Sequence, residues 1–295
     1  MHFHRSTFHA MAKALQASGD YKVVKRFTLR REWPDHPIPG AERALLVDVE
    51  TTGMNHDRDR IIQLAMVAVD FLPDGTIVRA EPCRTWLEDP GRPLEPVITA
   101  LTGLRDADLQ GQRIDDAEAS AIADQASLVI AHNAGFDRPF LEKRLPVFRE
   151  KLWACTWRDV AWMNEGFANQ KLEWLVQEMC GKFYRAHDAT EDTEVLADLL
   201  AAKLPVSGRS VLSCLIGAAR TPVIRLWAER APFDDRHVLK ERGYRWSPER
   251  RVWYREVVTN QVDAERRWLN EVLGVSPRET LLPLHRRFAA DPTGE

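Results

Sequence analysis

The sequence predicts an α/β fold with a mixed sheet, in which three antiparallel strands precede alternating helices and strands, and a small α+β appendage at the C-terminal end. Three observations support this prediction. Apolar segments at 44–53, 61–71 and 76–87 follow one another with short connections, which is typical of antiparallel strands. Between these strands and residue 204, helical and extended patterns alternate. After Pro205 the pattern changes to aromatic residues interleaved with arginines.

The N-terminal part differs from the strands that follow it. Residues 6–27 predict a short helix and a turn, and a proline-containing linker follows, so we expect 1–40 to be an extension. The strand at 44–53 is apolar at nearly every early position, as central strands buried on both faces are. The later elements are predicted as a helix around 115–126, a strand at 127–133, a helix at 136–145, a strand at 152–157, and helices at 171–181 and 188–200.

Composition limits the classes of protein to which the chain can belong. Hydrophobic residues make up 44% of the chain and charged residues 29%, which is ordinary for a globular protein. The net charge of −3 excludes a broadly basic nucleic-acid-binding coat, although 205–295 is mildly basic. The 4 cysteines are widely spaced, which predicts reduced thiols in a cytoplasmic protein. We find no membrane-spanning run and no signal peptide.

Two acids lie close together in the first strand. Asp48 and Glu50 are two residues apart, so their side chains leave the same face near the end of the strand. In so apolar a strand, the two charges repel each other and lose hydration, and a hard divalent cation would resolve both problems. The alternative is a solvent-exposed strand end with both acids in water.

Two further acids precede the apolar stripes of helices. Asp137 and Asp192 each lie three residues before the first apolar residue of such a stripe and four residues before the second. An unpaired charge at the head of a buried face is costly, so each acid needs a cation. For Asp137, an ion pair with Arg138 or Arg144 is the alternative to a metal ion.

The segment before Asp192 contains more acids and a histidine. Asp188 as the N-cap and Glu191 at the third helical position predict a capping box, which is a structural role. His187 precedes the cap, so we expect the loop to hold it and its side chain to be free to point toward Asp192.

Three motifs resemble those of a known family. DVETTG, HNAGFD and HDATED, in this order, resemble the motifs of the DEDD family of 3′–5′ exonucleases in its histidine subtype, to which the proofreading subunit of bacterial DNA polymerase III belongs. The resemblance covers 41–204 and implies a ribonuclease-H-like fold for this domain. Asp48 and Glu50 match the first motif, Asp137 the second, and His187 with Asp192 the third.

The resemblance implies a mechanism and a set of substrate contacts. Two Mg²⁺ or Mn²⁺ ions would be held by the four acids, and His187 would take a proton from the attacking water. Nucleoside 5′-monophosphates would leave from a 3′ end. The residues expected near the terminal nucleotide are Thr51, Thr52, Gly53, Met54, His132, Asn133 and Phe136. For His132, Asn133 and Phe136, purely structural roles are the alternative.

The C-terminal region, 205–295, contains a different pattern. Residues 232–258 predict a helix followed by a hairpin, in which aromatic side chains alternate with arginines. Aromatic rings stack on unpaired bases and arginines pair with phosphates, so Trp246, Arg251 and Trp253 are candidate contacts to single-stranded nucleic acid. The alternative is that these rings pack against their own helix or the main domain.

These patterns together predict a metal-dependent 3′–5′ exonuclease acting on DNA, of the proofreading or repair type. Nucleic acid is the predicted partner, with a DNA polymerase as a further candidate. An enzyme that trims RNA 3′ ends is one alternative, because such a site binds mainly phosphate and metal. A non-catalytic nucleic-acid-binding or polymerase-associated module is another, but the presence of all four acids and His187 weighs against it.

Overall fold

The computed structural model describes residues 5–28, 38–248 and 250–290. The strands, in chain order, are β1 (Lys25–Arg26), β2 (Glu42–Thr51), β3 (Ile61–Phe71), β4 (Ile77–Ala80), β5 (Arg84–Leu87), β6 (Leu128–Ala131), β7 (Leu152–Cys155), β8 (Lys182–Phe183), β9 (Val223–Ala228), β10 (Arg245–Ser247), β11 (Val252–Val258) and β12 (Arg278–Leu282). The α-helices are α1 (Arg5–Ser18), α2 (Pro96–Thr102), α3 (Asp106–Leu109), α4 (Asp116–Asp124), α5 (Ala134–Arg144), α6 (Thr156–Asp159), α7 (Leu172–Cys180), α8 (Ala189–Ala201), α9 (Val211–Arg220), α10 (Arg236–Glu241) and α11 (Val262–Leu273). None of the helices in these described ranges has the length and apolar character needed to cross a membrane.

The largest sheet is mixed, as the sequence predicts. Its order is β4-β3-β2-β6-β7, and β5 also pairs with β3. Strand β2 runs antiparallel to β3 and parallel to β6, which in turn runs parallel to β7. The predicted strand at 76–87 is interrupted, because β4 and β5 pair with successive parts of β3 and Pro82, between them, has no N–H to donate. The predicted fold class is confirmed.

Helices cover both faces of this sheet. Alternate residues of β2 enter two different cores: Leu46 packs with residues of α7, α8 and α9, and Leu45 packs with residues of α4 and α5. Because the middle of β2 is buried on both sides, its side chains are apolar from Ala44 to Val47. The short helices α2 and α3, between β5 and α4, were not predicted.

The N-terminal extension is attached to the main domain by a short strand. The predicted helix is present as α1, and β1 then pairs in parallel with β8, with Lys25 opposite Lys182 and Arg26 opposite Phe183. Lys22 also forms an ion pair with Glu178 of α7. The predicted linker lies largely outside the described residues. Strand β8 leads directly to the loop that carries His187, so the extension contacts the domain beside the third motif.

Helix α9 follows the predicted boundary at residue 204 and nevertheless packs on the main sheet. Val211, Leu212 and Leu215 are fully buried and belong to the same core as Leu46 of β2. The boundary at 204 stays a prediction. We propose a later one, near Thr221, because α9 covers apolar surface of the first domain.

The C-terminal region forms a second sheet. The predicted helix is α10, and the predicted hairpin is β10 paired with β11. The hairpin is only half of a four-stranded antiparallel sheet, order β10-β11-β9-β12. Strands β9 and β12 and helix α11 were not predicted, because β9 and β12 flank the predicted segment and their pairing is long-range. Arg251 lies in the hairpin turn with φ of 53°, and the turn residue Glu249 lies outside the described residues.

The aromatic side chains of this sheet pack mainly within it. The rings of Trp246 and Trp253 lie opposite each other with centroids 5.5 Å apart, and Trp253 packs against the cluster that contains Leu239 and Leu269. On the other face, the Arg225 guanidinium is buried 4.5 Å from the ring of Tyr254. This packing favours a structural role for Trp253, whereas Trp246 keeps 45% of its surface exposed.

Truncation tests the boundary. A chain ending after Arg220 should fold, with a melting temperature moderately below that of the first domain in the full chain, because it loses the contacts of Arg287 with Arg138 and Asp159. A chain ending after Leu204 should be strongly destabilised, because it loses several buried side chains that are worth about 2–5 kcal/mol each when cut back to alanine. That total is comparable with the roughly 5–15 kcal/mol by which whole domains are stable. Thermal melts of both chains, followed by circular dichroism, check this. Equal melting temperatures would support the boundary at 204.

Candidate metal and catalytic site

Asp48 and Glu50 lie where the main sheet opens. Both belong to the last part of β2, opposite Ala65 and Gln63 of β3, and their side chains share one face. On the other side of β2, the pairing with β6 ends at Leu46, so the two strands separate just before the acids. Asp48 is partly exposed at this opening, and Glu50 is buried.

Helix α8 brings a third carboxylate to this opening. It packs across β2 and β3 and places Asp192 in its first turn. Carboxylate oxygens of Asp48, Glu50 and Asp192 lie within 4.8 Å of one another. The three side chains therefore form one cluster of oxygen ligands, as expected from the sequence.

Asp137 lies beside this cluster, in the first turn of α5. It is 2% exposed, and its Oδ1 accepts a hydrogen bond of 3.2 Å from the backbone N–H of Val49, between the two acids of β2. Neither arginine considered as an alternative partner pairs with it. Arg138 pairs with Glu142, and Arg144 pairs with Glu88 and Asp116. The carboxylate of Asp137 thus remains available to the cluster.

Burial raises the pKa values of all four acids, and repulsion from neighbouring acids adds to this at Asp48, Glu50 and Asp137. Burial, followed by the neighbouring charges, raises the pKa of Asp48 well above its ordinary value and that of Glu50 to about 8. Burial also raises the pKa of Asp137 to about 7 and that of Asp192 to about 6. Without a cation, Asp48 and Glu50 therefore retain protons at neutral pH that ordinary carboxyls have lost, and Asp137 does so in part.

His187 stands in the loop just before α8, as predicted. It is exposed, and its backbone adopts the left-handed conformation with φ of 63°. Its charge and its backbone N–H both lower the pKa of Asp192, which places the histidine next to that carboxylate. The predicted approach of His187 to the third motif's acid is present in the structure.

The predicted capping box is only half present. Asp188 is the N-cap and accepts a hydrogen bond of 3.1 Å from the N–H of Thr190. Glu191 does not reach back to the N–H of Asp188 but accepts a hydrogen bond from the N–H of Arg185. The left-handed turn at His187 brings the preceding segment within reach of Glu191. The prediction for Glu191 is therefore wrong in its partner.

Two residues that the sequence reasoning missed hold this segment in place. Gln63 of β3 accepts a hydrogen bond from the N–H of Ala189 and donates one to Asp188, each at 3.2 Å. The hydroxyl of Tyr184 donates a 2.7 Å hydrogen bond to Asp192. A signal for Gln63 was present, because it is a buried polar residue in the otherwise apolar start of β3. Tyr184 had no comparable signal.

The turn after β2 is held by its own side chains. The hydroxyl of Thr51 donates to the carbonyl of Gly53, and that of Thr52 donates to Asp59. A Cβ atom on Gly53 would lie 2.5 Å from the carboxylate of Asp59, so a larger residue there would displace the Asp59 side chain. Met54 is 79% exposed. The two hydroxyls already have partners within the turn, so substrate contact by this turn stays a prediction that concerns its backbone and Met54.

The residues predicted at the other rim are partly buried. His132 hydrogen-bonds through Nδ1 to the hydroxyl of Thr156, and its ring lies 5.6 Å from that of Trp157. Burial lowers the pKa of His132 to about 4, so the ring is neutral at pH 7. Phe136 packs on Phe140. Substrate roles for His132, Asn133 and Phe136 stay predictions.

Four acids at the opening of a mixed sheet, with an exposed histidine beside one of them, form the kind of site that holds divalent cations for phosphoryl transfer. The comparison with known families agrees with this class. The model of the Exonuclease family matches residues 45–200, which include Asp48, Glu50, Asp137, His187 and Asp192. The chain belongs to this family, and the predicted resemblance is confirmed.

The chain is also similar to parts of much longer proteins. It is 26% identical over 204 residues to the DNA polymerase III PolC-type of Caldanaerobacter subterraneus subsp. tengcongensis, which covers 64% of this chain and 14% of that protein. It is 30% identical over 179 residues to the DNA polymerase III PolC-type of Bacillus subtilis, covering 56% and 12%. The chain thus spans only a small part of the length of these relatives.

The chain is also similar to solved structures of exonucleases, at low identity. Exonuclease X in complex with 5′ overhanging duplex DNA is 19% identical with a TM-score of 0.37, covering 58% of this chain and 99% of that one. Escherichia coli Exonuclease I in complex with a dA16 oligonucleotide is 14% identical with a TM-score of 0.47, covering 79% and 68%.

The raised pKa values predict how the stability of the metal-free protein depends on pH. Glu50, with a pKa of about 8, keeps its proton in the folded chain at pH values where an unfolded carboxyl has lost it. Folding therefore takes up protons, and stability should fall as the pH rises from about 4.5 to about 8. Asp48→Asn should raise the free energy of unfolding at pH 8 by at least about 1 kcal/mol, which corresponds to one pKa unit.

Thermal melts in a chelator across this pH range check the prediction. Asp124→Asn, at a largely exposed acid beside Lys151, is the matched control and should change little. Mg²⁺ should stabilise the unmodified chain more than the Asp48→Asn chain, because a ligand that binds only the folded state stabilises it. A metal-free Asp48→Asn chain that melts earlier than the unmodified one would mean that Asp48 is a structural residue.

Proposed function

We propose that this chain is a metal-dependent 3′–5′ exonuclease that releases nucleoside 5′-monophosphates from DNA 3′ ends. The observation that carries the proposal is the cluster of Asp48, Glu50 and Asp192, whose ligand atoms lie within 4.8 Å of one another. Asp137 lies beside the cluster through its hydrogen bond to Val49. Membership of the Exonuclease family supports the reaction class.

The residues of the cluster fit divalent cations. They offer only carboxylate oxygens, which are the ligands preferred by Mg²⁺ and Mn²⁺, and they repel one another without a positive charge between them. We propose that Asp48, Glu50 and Asp192 hold two such ions and that Asp137 completes the site. When bound there, the ions would make water a stronger nucleophile and neutralise charge on the departing 3′ oxygen.

His187 is suited to act as the general base. The neutral imidazole of a histidine is a proton acceptor and can take the proton of the attacking water. The residue is exposed and adjacent to Asp192, so substrate and solvent both reach it. Gln63 fixes the start of α8 immediately after it, and Tyr184 orients the carboxylate of Asp192.

DNA is the proposed substrate because the curated relatives are DNA polymerases. For the same reason we propose a DNA polymerase as a partner and the cytoplasm as the location.

The exposed side chains of Val97 and Leu101 on α2 add apolar surface close to the loop before His187, since Arg185 of that loop donates a hydrogen bond to the carbonyl of Thr102. Such a surface suits the face of a terminal base.

A substrate panel tests the proposal. Single-stranded DNA, duplex DNA with a mismatched 3′ end, and RNA of matched sequence, all labelled at the 5′ end, should be incubated with Mg²⁺ or Mn²⁺. We expect a ladder of products shortened from the 3′ end on both DNA substrates, with less cleavage of RNA. Preferential cleavage of RNA would indicate an RNA-trimming enzyme. Binding without cleavage of any substrate would indicate a non-catalytic module.

Replacing His187 separates its role from metal binding. His187→Ala should lower kcat by about 10²–10⁴-fold, the usual contribution of a positioned general base. The loss should shrink at higher pH, where hydroxide replaces the missing proton acceptor. Mn²⁺ affinity, measured by titration calorimetry, should be largely kept, whereas Asp192→Ala should lose it.

The matched control is His237→Ala, at an exposed histidine of α10. It should leave both kcat and its pH profile as they are in the unmodified chain. If His187→Ala weakens Mn²⁺ binding as much as Asp192→Ala does, then His187 is a ligand and the assignment of a general base is wrong.

A further inference from the structure

A cavity rich in arginine lies between the first domain and the C-terminal sheet. Its volume is about 440 Å³, and it is lined on one side by residues of α6 and the segment near 287, and on the other by residues of β10 and β11. Four arginines line it: Arg158, Arg245, Arg255 and Arg287. None of them belongs to the residues assigned above to the metal site or the substrate turn.

The arginines of this cavity exceed the acids that line it. Asp159 and Glu256 are its acidic lining residues. Arg287 pairs with Asp159, and Arg245 lies 3.4 Å from Glu256. Arg255 pairs at 2.7 Å with Glu265, which is outside the lining. The cavity surface is therefore positively charged overall.

Arg158 is the arginine without an acidic partner. It is exposed, and within the described parts of the chain its guanidinium forms no ion pair. The guanidinium carbon lies 6.0 Å from the centroid of the Phe288 ring. Burial raises the pKa of Asp159, and the charge of Arg158 opposes this rise less than the charge of Arg287 does. A guanidinium at the wall of a cavity, whose N–H groups have no acidic partner, is suited to bind an anion such as a phosphodiester.

The cavity begins close to the metal site. The Arg158 guanidinium lies against the first turn of α5, because a Cβ on Gly135 would be 3.4 Å from its Nη2 atom. Asp137 follows Gly135 by two residues, a rise of about 3 Å along a helix. Trp157, 41% exposed, is joined to the rim by a hydrogen bond from its N–H to the carbonyl of His132. An exposed ring thus lies next to His132 at the rim and is followed in the chain by Arg158 at the cavity.

The far wall of the cavity offers further donors. Strand β10 pairs only with residues 252–254 of β11. Among the described residues, the edge of 255–258 that faces away from β9 therefore has no strand partner. Arg245 keeps 43% of its side chain exposed there. Arginines and backbone N–H groups are the groups that proteins commonly use to bind phosphates, and exposed aromatic rings stack on bases.

We propose that this cavity binds the phosphate backbone of the single strand upstream of the 3′ end, with Arg158 and Arg245 as the main contacts. The proposal rests on the exonuclease function proposed above, since that function supplies a strand whose end lies at the carboxylates. The strand passes Trp157 and then enters the cavity, so a long strand makes contacts that a short one cannot.

Binding without turnover tests this. The full chain in a chelator, which removes metal and stops cleavage, should be titrated with a labelled single-stranded DNA longer than the roughly 4–16 nucleotides that one single-strand-binding domain covers. Arg158→Ala and Arg245→Ala should each raise Kd by about tenfold, the usual loss of a charge-assisted hydrogen bond. The slope of log K against log salt concentration should decrease by about 0.7 per lost phosphate contact.

The matched control is Arg113→Ala, an exposed arginine in the segment before α4. It removes the same charge elsewhere, so it should change neither Kd nor the salt slope appreciably. If either cavity variant melts early, Arg158→Gln or Arg245→Gln, which keep more of the side-chain volume, should replace it. Cavity variants that bind like the Arg113→Ala chain would overturn the proposal.

Cleavage separates this proposal from the proposed function. With Mg²⁺, the unmodified chain should have a higher kcat/KM for the long strand than for a dinucleotide, and this advantage should shrink in the cavity variants. If the chain cleaves DNA and the variants bind the long strand normally, the cavity proposal fails while the exonuclease function stands. If the chain binds the long strand through these arginines but cleaves nothing, the exonuclease function fails while the cavity proposal stands.

Discussion

Like charges gathered at the end of β2 have to be held together against their own repulsion, and the neighbouring elements are arranged to do this. Strand β2 fixes Asp48 and Glu50 on one face, and the helices α5 and α8 each place one acid in their first turn. The N-terminal end of a helix carries partial positive charge and unpaired N–H groups, which favour an anion. Asp137 and Asp192 therefore occupy the positions of their helices where a negative charge is best tolerated, and the backbone N–H of Val49 gives Asp137 further support.

The acids could be predicted from the sequence because each breaks a periodic pattern. Asp48 and Glu50 interrupt an apolar strand, and Asp137 and Asp192 stand at the head of apolar helical stripes; local periodicity is enough to reveal such positions. The supporting contacts could not be predicted in this way. Gln63 and Tyr184 reach Ala189 and Asp192 through the tertiary fold, and Glu191 bonds to Arg185 because the backbone turns at His187.

The C-terminal part shows the same limit at a larger scale. The predicted helix and hairpin are local, and both are present. Their completion into a four-stranded sheet depends on β9 and β12, which lie before and after them and pair across more than fifty residues of chain. The arginines and aromatic rings of this region were read as one pattern, but the sheet divides them between its two faces. Trp246 and Trp253 pack on one face, whereas Arg225 and Arg245 both contact the ring of Tyr254 on the other.

The pairing of β1 with β8 has a consequence for the motion of the loop that carries His187. Only two residues of each strand take part, and β8 is followed at once by the segment that ends in His187. So short a pair at the surface opens at a much lower free energy than the core strands do. The histidine thus follows a weakly paired segment, while Asp48 and Glu50 belong to a strand paired with β3 along its whole length. In the proposed site, the acids are thus held on a well-paired strand, whereas the proposed proton acceptor lies in a loop secured by the N-terminal attachment together with the hydrogen bonds of Tyr184 and Arg185.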